Sequence, residues 1–309
     1  YVRRHTGLYE SPAGTPHPGQ LFSLGYNATS PTPFVDLAAL GVSVGTVASN
    51  SARGLTTIGV FAPDNGANGV MEEVGSVGIG DIDIDANGVL WVVSLFDRHL
   101  YRVALPSNGA APTASDVSDK GAITAPCPAG SGIARPFGLK PYNGLIYLGV
   151  VCDGSIAPGT NRANLEAYVV TFDPTANTFA PFFGPIELNY AKGCVASTVA
   201  TSCQWYAWGT PDNAAPMLMP TPLLSDLEFD IDGSLILNFR DQNADQYGGT
   251  GSGYSGGDLL RVCRTGSGCT SADYTLQGGA GCANNANNAQ GPNGGEYYAF
   301  ELFGAHEDT

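Results

Sequence analysis

The chain has 309 residues, with 42 Gly, 21 Pro, 13% charged residues and a formal net charge of −15. Such an acidic surface repels phosphate backbones and anionic lipids, which excludes nucleic-acid and membrane-surface binding but permits divalent cations. No apolar run reaches the length of a transmembrane helix. Because 43% of the residues are hydrophobic and 10% aromatic, the Gly and Pro excess indicates short strands joined by many turns, which is typical of all-β proteins.

The first predicted strands lie between residues 19 and 105. GQLFSL and PTPFVDL, within residues 19–37, are predicted as the later strands of one unit. Residues 79–105 then predict a strand, a turn at Asn87-Gly88, and the strands LWVVSLF and HLYRVAL. Asn-Gly is a strong hairpin signal because both residues tolerate positive φ.

The same order recurs further along the chain. Residues 135–183 and 223–276 each predict strand, tight turn, strand, loop, strand, loop, strand, with turns at Asn143-Gly144 and Asp232-Gly233. A further unit begins at Gly294 with GGEYYAFELF. Four antiparallel strands per unit are typical of a propeller blade. We therefore predict an all-β fold, a single β-propeller over residues 1–309 with about six blades (five to seven). Two stacked β-sandwiches are the competing architecture.

Long loops interrupt the predicted repeat at about residues 108–134, 153–164, 189–222 and 278–293. Five of the seven cysteines lie in or beside these loops, and Cys263 and Cys269 lie between the last two loops. None belongs to a CxxC pair and none is near a histidine in sequence, which argues against a zinc site. Disulfides in an oxidising compartment are the better interpretation. The preferred pairs are Cys127–Cys152, Cys194–Cys203 and Cys263–Cys282, which leaves Cys269 over. Six cysteines allow 15 connectivities, so other pairings stay open.

Several long phrases, in chain order, resemble a family of bacterial cell-surface proteins. They include YVRRHTGLY, IGDIDID, RPFGLKPYNGLIYLGVVCD, WYAW, LLSDLEFDIDGSLILNFRDQNADQ, SGGDLLRVC and GPNGGEYYAFELFGAHED. Members of this family carry a β-propeller-like module in large secreted proteins, often beside serine-aspartate-repeat-adhesin B-type (prealbumin-like) domains. The resemblance covers nearly the whole chain and implies a surface or adhesin-like role with no established catalysis. Members extend beyond both ends of the matching region, so the chain is expected to be a fragment whose ring is incomplete.

Carboxylates on the first strand of each unit are the candidate metal ligands. In propellers these strands line the central channel, and converging carboxylates need a cation, an arginine or protonation. Calcium suits oxygen ligands in an extracellular protein, and the alternative is that these side chains face solvent or cap turns. The candidates are Asp81, Asp83, Asp226, Glu228 and Glu296.

A second candidate calcium site is the D-x-N-x-D spacing of Asp241, Asn243 and Asp245. An EF-hand pattern fails, because Gln246 replaces the sixth-position glycine and Ser252 the twelfth-position glutamate. A looser calcium loop or an Asx-rich turn remains. Arg135 and Arg240 are interpreted as structural ion-pair partners of the inner carboxylates rather than as substrate clamps.

Two further features point to the surface. Trp205, Tyr206 and Trp208 form an aromatic cluster that is a candidate partner-binding site, although packing over a blade edge is the favoured interpretation. Asn27-Ala28-Thr29 is an N-glycosylation sequon, a weak signal in a bacterial protein.

The sequence thus predicts a secreted, non-catalytic surface or filament module. Its loops would contact other copies, other cell-surface proteins or glycans, through edge strands or loop tips. The alternative is a calcium-dependent propeller hydrolase or lactonase that uses Asp81, Asp226 and Glu296 around one metal.

Overall fold

The structure is a computed structural model that describes residues 17–48, 73–130, 132–155, 162, 164–192, 203–209, 219–242, 256–268 and 270–283. The chain divides into two compact units, residues 1–123 and 124–309. Each unit is described by itself. Among the described residues, no helix has the length and apolar character needed to cross a membrane.

The first unit contains a two-stranded and a four-stranded antiparallel sheet. Strands β1 (Gln20–Ser23) and β2 (Thr32–Asp36) form the hairpin. The larger sheet follows chain order as β3 (Ile79–Ile84), β4 (Val89–Ser94), β5 (His99–Ala104) and β6 (Val117–Ala122). Leu21 and Leu37 from the hairpin side share one buried cluster with Leu90, Val92 and Val103 of the larger sheet, so apolar packing holds the two sheets together.

The second unit consists of two four-stranded antiparallel sheets, each again in chain order. One contains β7 (Ala134–Tyr142), β8 (Leu145–Cys152), β9 (Glu166–Asp173) and β10 (Thr178–Glu187). The other contains β11 (Pro222–Phe229), β12 (Leu235–Asp241), β13 (Asp258–Arg264) and β14 (Tyr274–Leu276). The predicted fold class, all-β with four-stranded antiparallel propeller blades, is confirmed. The number of blades and the closure of a ring stay predictions, as does the strand at Gly294, which lies outside the described residues.

The three predicted hairpin turns form, but only Asn143-Gly144 has both residues at positive φ, 48° and 80°. At Asn87-Gly88 and Asp232-Gly233 only the glycine has positive φ, 75° and 80°, and its N–H donates to the carbonyl oxygen of Asp85 or Asp230, three residues before it.

One loop prediction was wrong, because β6 lies inside residues 108–134. A short 3-10 turn introduces this strand, and Thr113 donates through its N–H and hydroxyl to Asp116 Oδ2, each at 2.7 Å. The same T-x-x-D turn precedes β14, where the Thr270 hydroxyl donates to Asp273 Oδ2 at 2.6 Å. This spacing marks the fourth strand of two of the sheets.

Two of the three predicted disulfides form within the described residues. Cys127–Cys152 has a Cα–Cα distance of 5.6 Å, and Cys263–Cys282 one of 5.4 Å. Each ties the chain beside a strand end to a connecting loop. Cys203 is also disulfide-bonded; its predicted partner Cys194 and the extra Cys269 lie outside the described residues.

The two sheets of the second unit pack face to face along their first strands. Tyr142 of β7 stacks on Phe229 of β11 with ring centroids 3.8 Å apart and an interplanar angle of 9°. Glycines permit this close approach: a Cβ on Gly138 would lie 2.8 Å from the Asp226 nitrogen, and one on Gly149 would lie 2.5 Å from Leu224 Cγ. The contact between β11 and the β7–β8 face thus depends on two positions without side chains.

Gly149→Ala is therefore expected to destabilise the second unit by about 1–3 kcal/mol, because its methyl group overlaps Leu224. Urea unfolding measures the loss. In a Leu224→Ala background the added cost of Gly149→Ala should fall, which gives a double-mutant coupling. Gly25→Ala is the control, since its Cβ would lie 3.8 Å from the nearest atom; equal losses at Gly149 and Gly25 would contradict the packing argument.

Candidate functional site

The long connections of the second unit lie at one end of its sheets. The turns after β7, β9 and β11 are short, whereas residues 153–165, 188–221 and 242–257 connect β8 to β9, β10 to β11 and β12 to β13. Antiparallel strands alternate in direction, so these three connections leave from the same end. We call it the loop end.

One described part of these connections, residues 203–209, is tied to both sheets; we call it the aromatic segment. Trp208 N donates to the Asp153 carbonyl oxygen (2.9 Å), beside β8. Its indole Nε1 donates to the Pro222 carbonyl oxygen (2.8 Å), at the start of β11. Tyr206 N donates to the Pro220 carbonyl oxygen and Lys192 N to that of Cys203. The segment is thus held by backbone bonds on either side.

Trp205, Tyr206 and Trp208 are buried, which fits the favoured expectation of packing over a blade edge; partner binding by this cluster stays a prediction. Their exposed fractions are 0%, 2% and 4%. The rings pack inward because both indole N–H groups find acceptors there, that of Trp205 being the Tyr190 hydroxyl at 3.2 Å.

A buried ion pair lies next to the aromatic segment. Arg135 Nε lies 2.8 Å from Asp153 Oδ2, and the Asp153 side chain is fully buried. The other oxygen, Oδ1, accepts hydrogen bonds from Ile133 N and the Ser155 hydroxyl. The Arg135 guanidinium also lies 4.9 Å from the Trp208 ring centroid, a cation–π distance. Arg135 thus forms a structural ion pair with Asp153, the residue after β8; its pairing with the inner-strand carboxylates stays a prediction.

A second buried acid, Asp258, lies at the start of β13. The Tyr190 hydroxyl donates to its Oδ2 at 2.6 Å, and Lys192 Nζ donates to the neighbouring Gly256 carbonyl oxygen while lying 4.4 Å from the Trp205 ring centroid. Burial raises the pKa of Asp258 to about 6, although the Tyr190 hydrogen bond and the Lys192 charge act in the opposite direction. Burial, followed by the Asp258 charge, raises the pKa of Tyr190 well above its usual value.

Asp241, a predicted calcium ligand, is a third buried acid at the loop end. Its Oδ1 accepts from Thr221 N at 3.0 Å and its Oδ2 from Gly256 N at 3.2 Å. Both oxygens therefore bind the backbone of the connections on either side. The other two members of that predicted calcium loop, Asn243 and Asp245, lie outside the described residues.

The predicted inner-strand ligands accept hydrogen bonds from their own strands. In β3 and β11 a side-chain oxygen of each accepts from the backbone N–H of the next residue, and Glu228 also lies 2.7 Å from Lys140 Nζ of β7. These residues are Asp81, Asp83, Asp226 and Glu228, while Glu296 lies outside the described residues. Within the part of the chain that the structure describes, no three His, Cys, Asp or Glu side chains gather as a metal site would require. Calcium binding stays a prediction.

Sequence reasoning missed Asp153, Tyr190, Lys192 and Asp258. Asp153 and Asp258 lie directly beside strands of alternating or continuous apolar residues, which was the available signal: an acid at the strand end facing a long insertion. Tyr190 and Lys192 carried no comparable pattern. Asn27, the predicted glycosylation site, lies exposed in the connection between β1 and β2.

Searches of known sequences give partial matches only. No family model matches the chain. Three Dictyostelium discoideum proteins are similar: colossin-A (30% identity over 132 residues, 42% of this chain), colossin-B (26% over 239 residues, 71%) and colossin-C (28% over 112 residues, 35%). The matched regions span 1%, 6% and 10% of the lengths of those proteins. The chain thus resembles a small part of much longer proteins.

Two of the solved structures with some likeness to this chain are GH43 proteins. One is a GH43 glycoside hydrolase engineered to show both endo-xylanase and exo-arabinofuranosidase activity, with 12% identity, a TM-score of 0.36, and coverage of 73% of this chain and 33% of that one. The other is a mutant of the GH43 protein BlXynB from Bacillus licheniformis, with 16% identity, a TM-score of 0.31, and coverage of 68% and 31%. Similarity at this level carries no argument about activity.

Arg135→Leu is expected to destabilise the protein by about 3–5 kcal/mol, because it leaves the Asp153 carboxylate buried without its counter-charge. The matched control is Arg261→Leu. Arg261 pairs with Asp230 and Asp232 at 2.6 Å each, but these groups are 30% and 56% exposed, so the loss should be about 1 kcal/mol or less. Urea unfolding of both variants makes the comparison, and equal losses would contradict the assignment.

Asp258→Asn is expected to remove a pH dependence of stability. The folded-state pKa of Asp258, about 6, lies above its ordinary value of 3.8. The stabilising contribution is therefore complete below the ordinary pKa and is lost as pH rises through the folded-state pKa. Between pH of about 4 and 7.5 the variant should gain stability relative to wild type, on the order of 2–3 kcal/mol.

Urea unfolding over that pH series measures the effect. Asp232→Asn is the control of opposite sign: burial acts to raise the pKa of Asp232, but hydrogen bonds from Ser234 and the charge of Arg261 lower it. The contribution of Asp232 is therefore lost as pH falls. Parallel curves for wild type and Asp258→Asn would show that Asp258 does not titrate as assigned.

Proposed function

We propose that this chain is a non-catalytic, extracellular module of a much longer protein, and that it presents the connections at the loop end of the second unit as a preformed binding face. The observation that carries the proposal is the aromatic segment, which is fixed to both sheets while the long connections continue on either side of it. A segment that is already fixed loses little conformational entropy on binding, and this favours recognition by a rigid surface.

The disulfides support an extracellular location. Cys127–Cys152 and Cys263–Cys282 are expected to persist only in an oxidising compartment. The small share of each colossin that the chain matches supports a role as one module among others. Candidate partners are another copy of the chain, another cell-surface protein or a glycan.

The hydrogen bonds of the buried acids also favour a binding module that presents its loops over an enzyme. The carboxylate oxygens of Asp153 and Asp241 accept hydrogen bonds from backbone N–H groups or from an arginine. Asp258 accepts a hydrogen bond from the Tyr190 hydroxyl. A general acid or nucleophile needs access to a substrate. In the arrangement described, these carboxylates hold the chain instead.

Hydrogen exchange on the free module tests whether the face is preformed. The amides of Trp208, Tyr206 and Lys192 should exchange about 100-fold or more slowly than unprotected amides, because each donates to a carbonyl oxygen in a folded network. Asp153→Asn should accelerate Trp208 N while leaving amides of the β3–β4 hairpin unchanged. Fast exchange at all three amides in the wild-type protein would refute a preformed face.

Metal analysis combined with turnover assays tests the alternative of a calcium-dependent hydrolase or lactonase. The secreted protein, before and after EDTA dialysis, is assayed on glycoside, lactone and ester substrates. We expect no turnover in either state. EDTA-sensitive turnover that Asp81→Asn or Asp226→Asn abolishes, with an Asp116→Asn control in an exposed turn that retains it, would replace the proposed function by the enzymatic one.

A further inference from the structure

The hairpin of the first unit exposes large apolar side chains. Phe22, Leu24 and Tyr26 are 59%, 64% and 97% exposed, although Leu21 beside them is buried. Residues 20–35 contain no charged side chain, in a chain whose net charge is −15. An exposed apolar cluster of this kind needs a cover or a partner.

The sequon lies inside this exposed cluster. Ala28 N donates to the Gly25 carbonyl oxygen at 2.8 Å, so Tyr26 and Asn27 occupy the two central positions of a tight turn. Asn27 has φ of 67°, a conformation that asparagine tolerates. Asn27 and Thr29 are both exposed, and Asn27-Ala28-Thr29 is the single N-x-S/T sequence in the chain. The side-chain amide that would accept a glycan therefore projects from the tip of the turn.

We propose that Asn27 carries an N-linked glycan and that the first sugars of this glycan cover Tyr26, Phe22 and Leu24. Three observations meet here: the acceptor sequence, its exposed turn, and aromatic and aliphatic side chains directly beside it. The disulfides favour an oxidising compartment, and in a eukaryotic secretory pathway that compartment is also where N-linked glycans are added. Sugar rings present C–H faces that pack on an aromatic ring, and the Ser, Thr and Asn side chains of the hairpin supply uncharged hydrogen-bonding groups.

A covalently attached occupant explains the composition of the hairpin better than a protein partner. The attachment point lies within the apolar cluster, so the effective concentration of the glycan at these rings is high without any other contact. A second copy of the chain would instead bring a second net charge of −15 close to the first, which opposes association.

The experiment uses the chain secreted from a eukaryotic host, chosen so that a control sequon is occupied. Ala110→Thr, combined with Asn27→Gln, creates that control at Asn108 in another exposed turn of the same unit. Intact mass and peptide mapping before and after treatment with a peptide N-glycosidase report occupancy, because the enzyme converts the modified Asn to Asp. Thermal unfolding of each protein, with and without the glycan, reports contact between the glycan and the hairpin.

We expect Asn27 to be occupied in wild type and in Tyr26→Ser. Removal of the glycan should lower the Tm of wild type by about 2–4 °C, while removal from Tyr26→Ser or from Asn108 should leave it nearly unchanged. Occupancy at Asn108 without occupancy at Asn27 overturns the proposal. An equal Tm shift in wild type and Tyr26→Ser also overturns it, as does an unmodified wild-type protein that dimerises under conditions in which Tyr26→Ser stays monomeric.

Discussion

The contact between β11 and the face formed by β7 and β8 determines the rest of the second unit. Two glycines, Gly138 and Gly149, allow the strands to approach so closely that a single methyl group would overlap Leu224 or the β11 backbone. Since β11 begins at Pro222, this packing also fixes Thr221 and Pro222. Those residues provide the acceptor for Trp208 and a donor for Asp241. The packing of apolar faces therefore positions the polar contacts at the loop end.

The buried acids at the loop end provide hydrogen-bond acceptors for the backbone of the long connections. The described parts of these connections bring backbone N–H groups away from water, and each needs an acceptor. Asp153 and Asp241 supply two oxygens each, and the aromatic segment supplies indole N–H groups that find backbone or hydroxyl acceptors in return. Burying a carboxylate costs free energy, which the hydrogen bonds and the Arg135 charge offset. For Asp258, the Tyr190 hydrogen bond and the Lys192 charge offset less of the free-energy cost of burying the carboxylate, as its raised pKa indicates.

The sequence was informative about strands and much less so about side-chain environments. The Asn143-Gly144 and Asp232-Gly233 turns located hairpins because turn geometry is a local property of the chain. β6 was missed because its residues, VSDKGA, lack an apolar alternation, and only the T-x-x-D turn before it marks a strand. For WYAW, partner binding and packing over a blade edge both stayed open, with packing favoured, because a cysteine-bounded segment rich in aromatic residues has no local property that distinguishes packing inward from facing solvent. Burial at Trp205 and Trp208 depends on Asp153, Tyr190 and Pro222, which are distant in sequence, and single-sequence patterns do not reveal such pairings.

The net charge of −15 therefore has two physically different parts. Carboxylates such as Asp116 and Asp273 lie in exposed turns, where hydrogen bonds from Thr113 and from Thr270, respectively, lower their pKa, so they stay ionised and keep the surface acidic. Asp153, Asp241 and Asp258 are buried and act on the backbone. An acidic composition alone suggested cation binding. Each Asp241 oxygen accepts one backbone N–H, which uses part of the roughly four acceptor sites of a carboxylate, so calcium binding at Asp241 stays a prediction. The same two hydrogen bonds join Asp241 to the connections on either side of it, so this buried acid orders the loop end whether or not it also binds a cation.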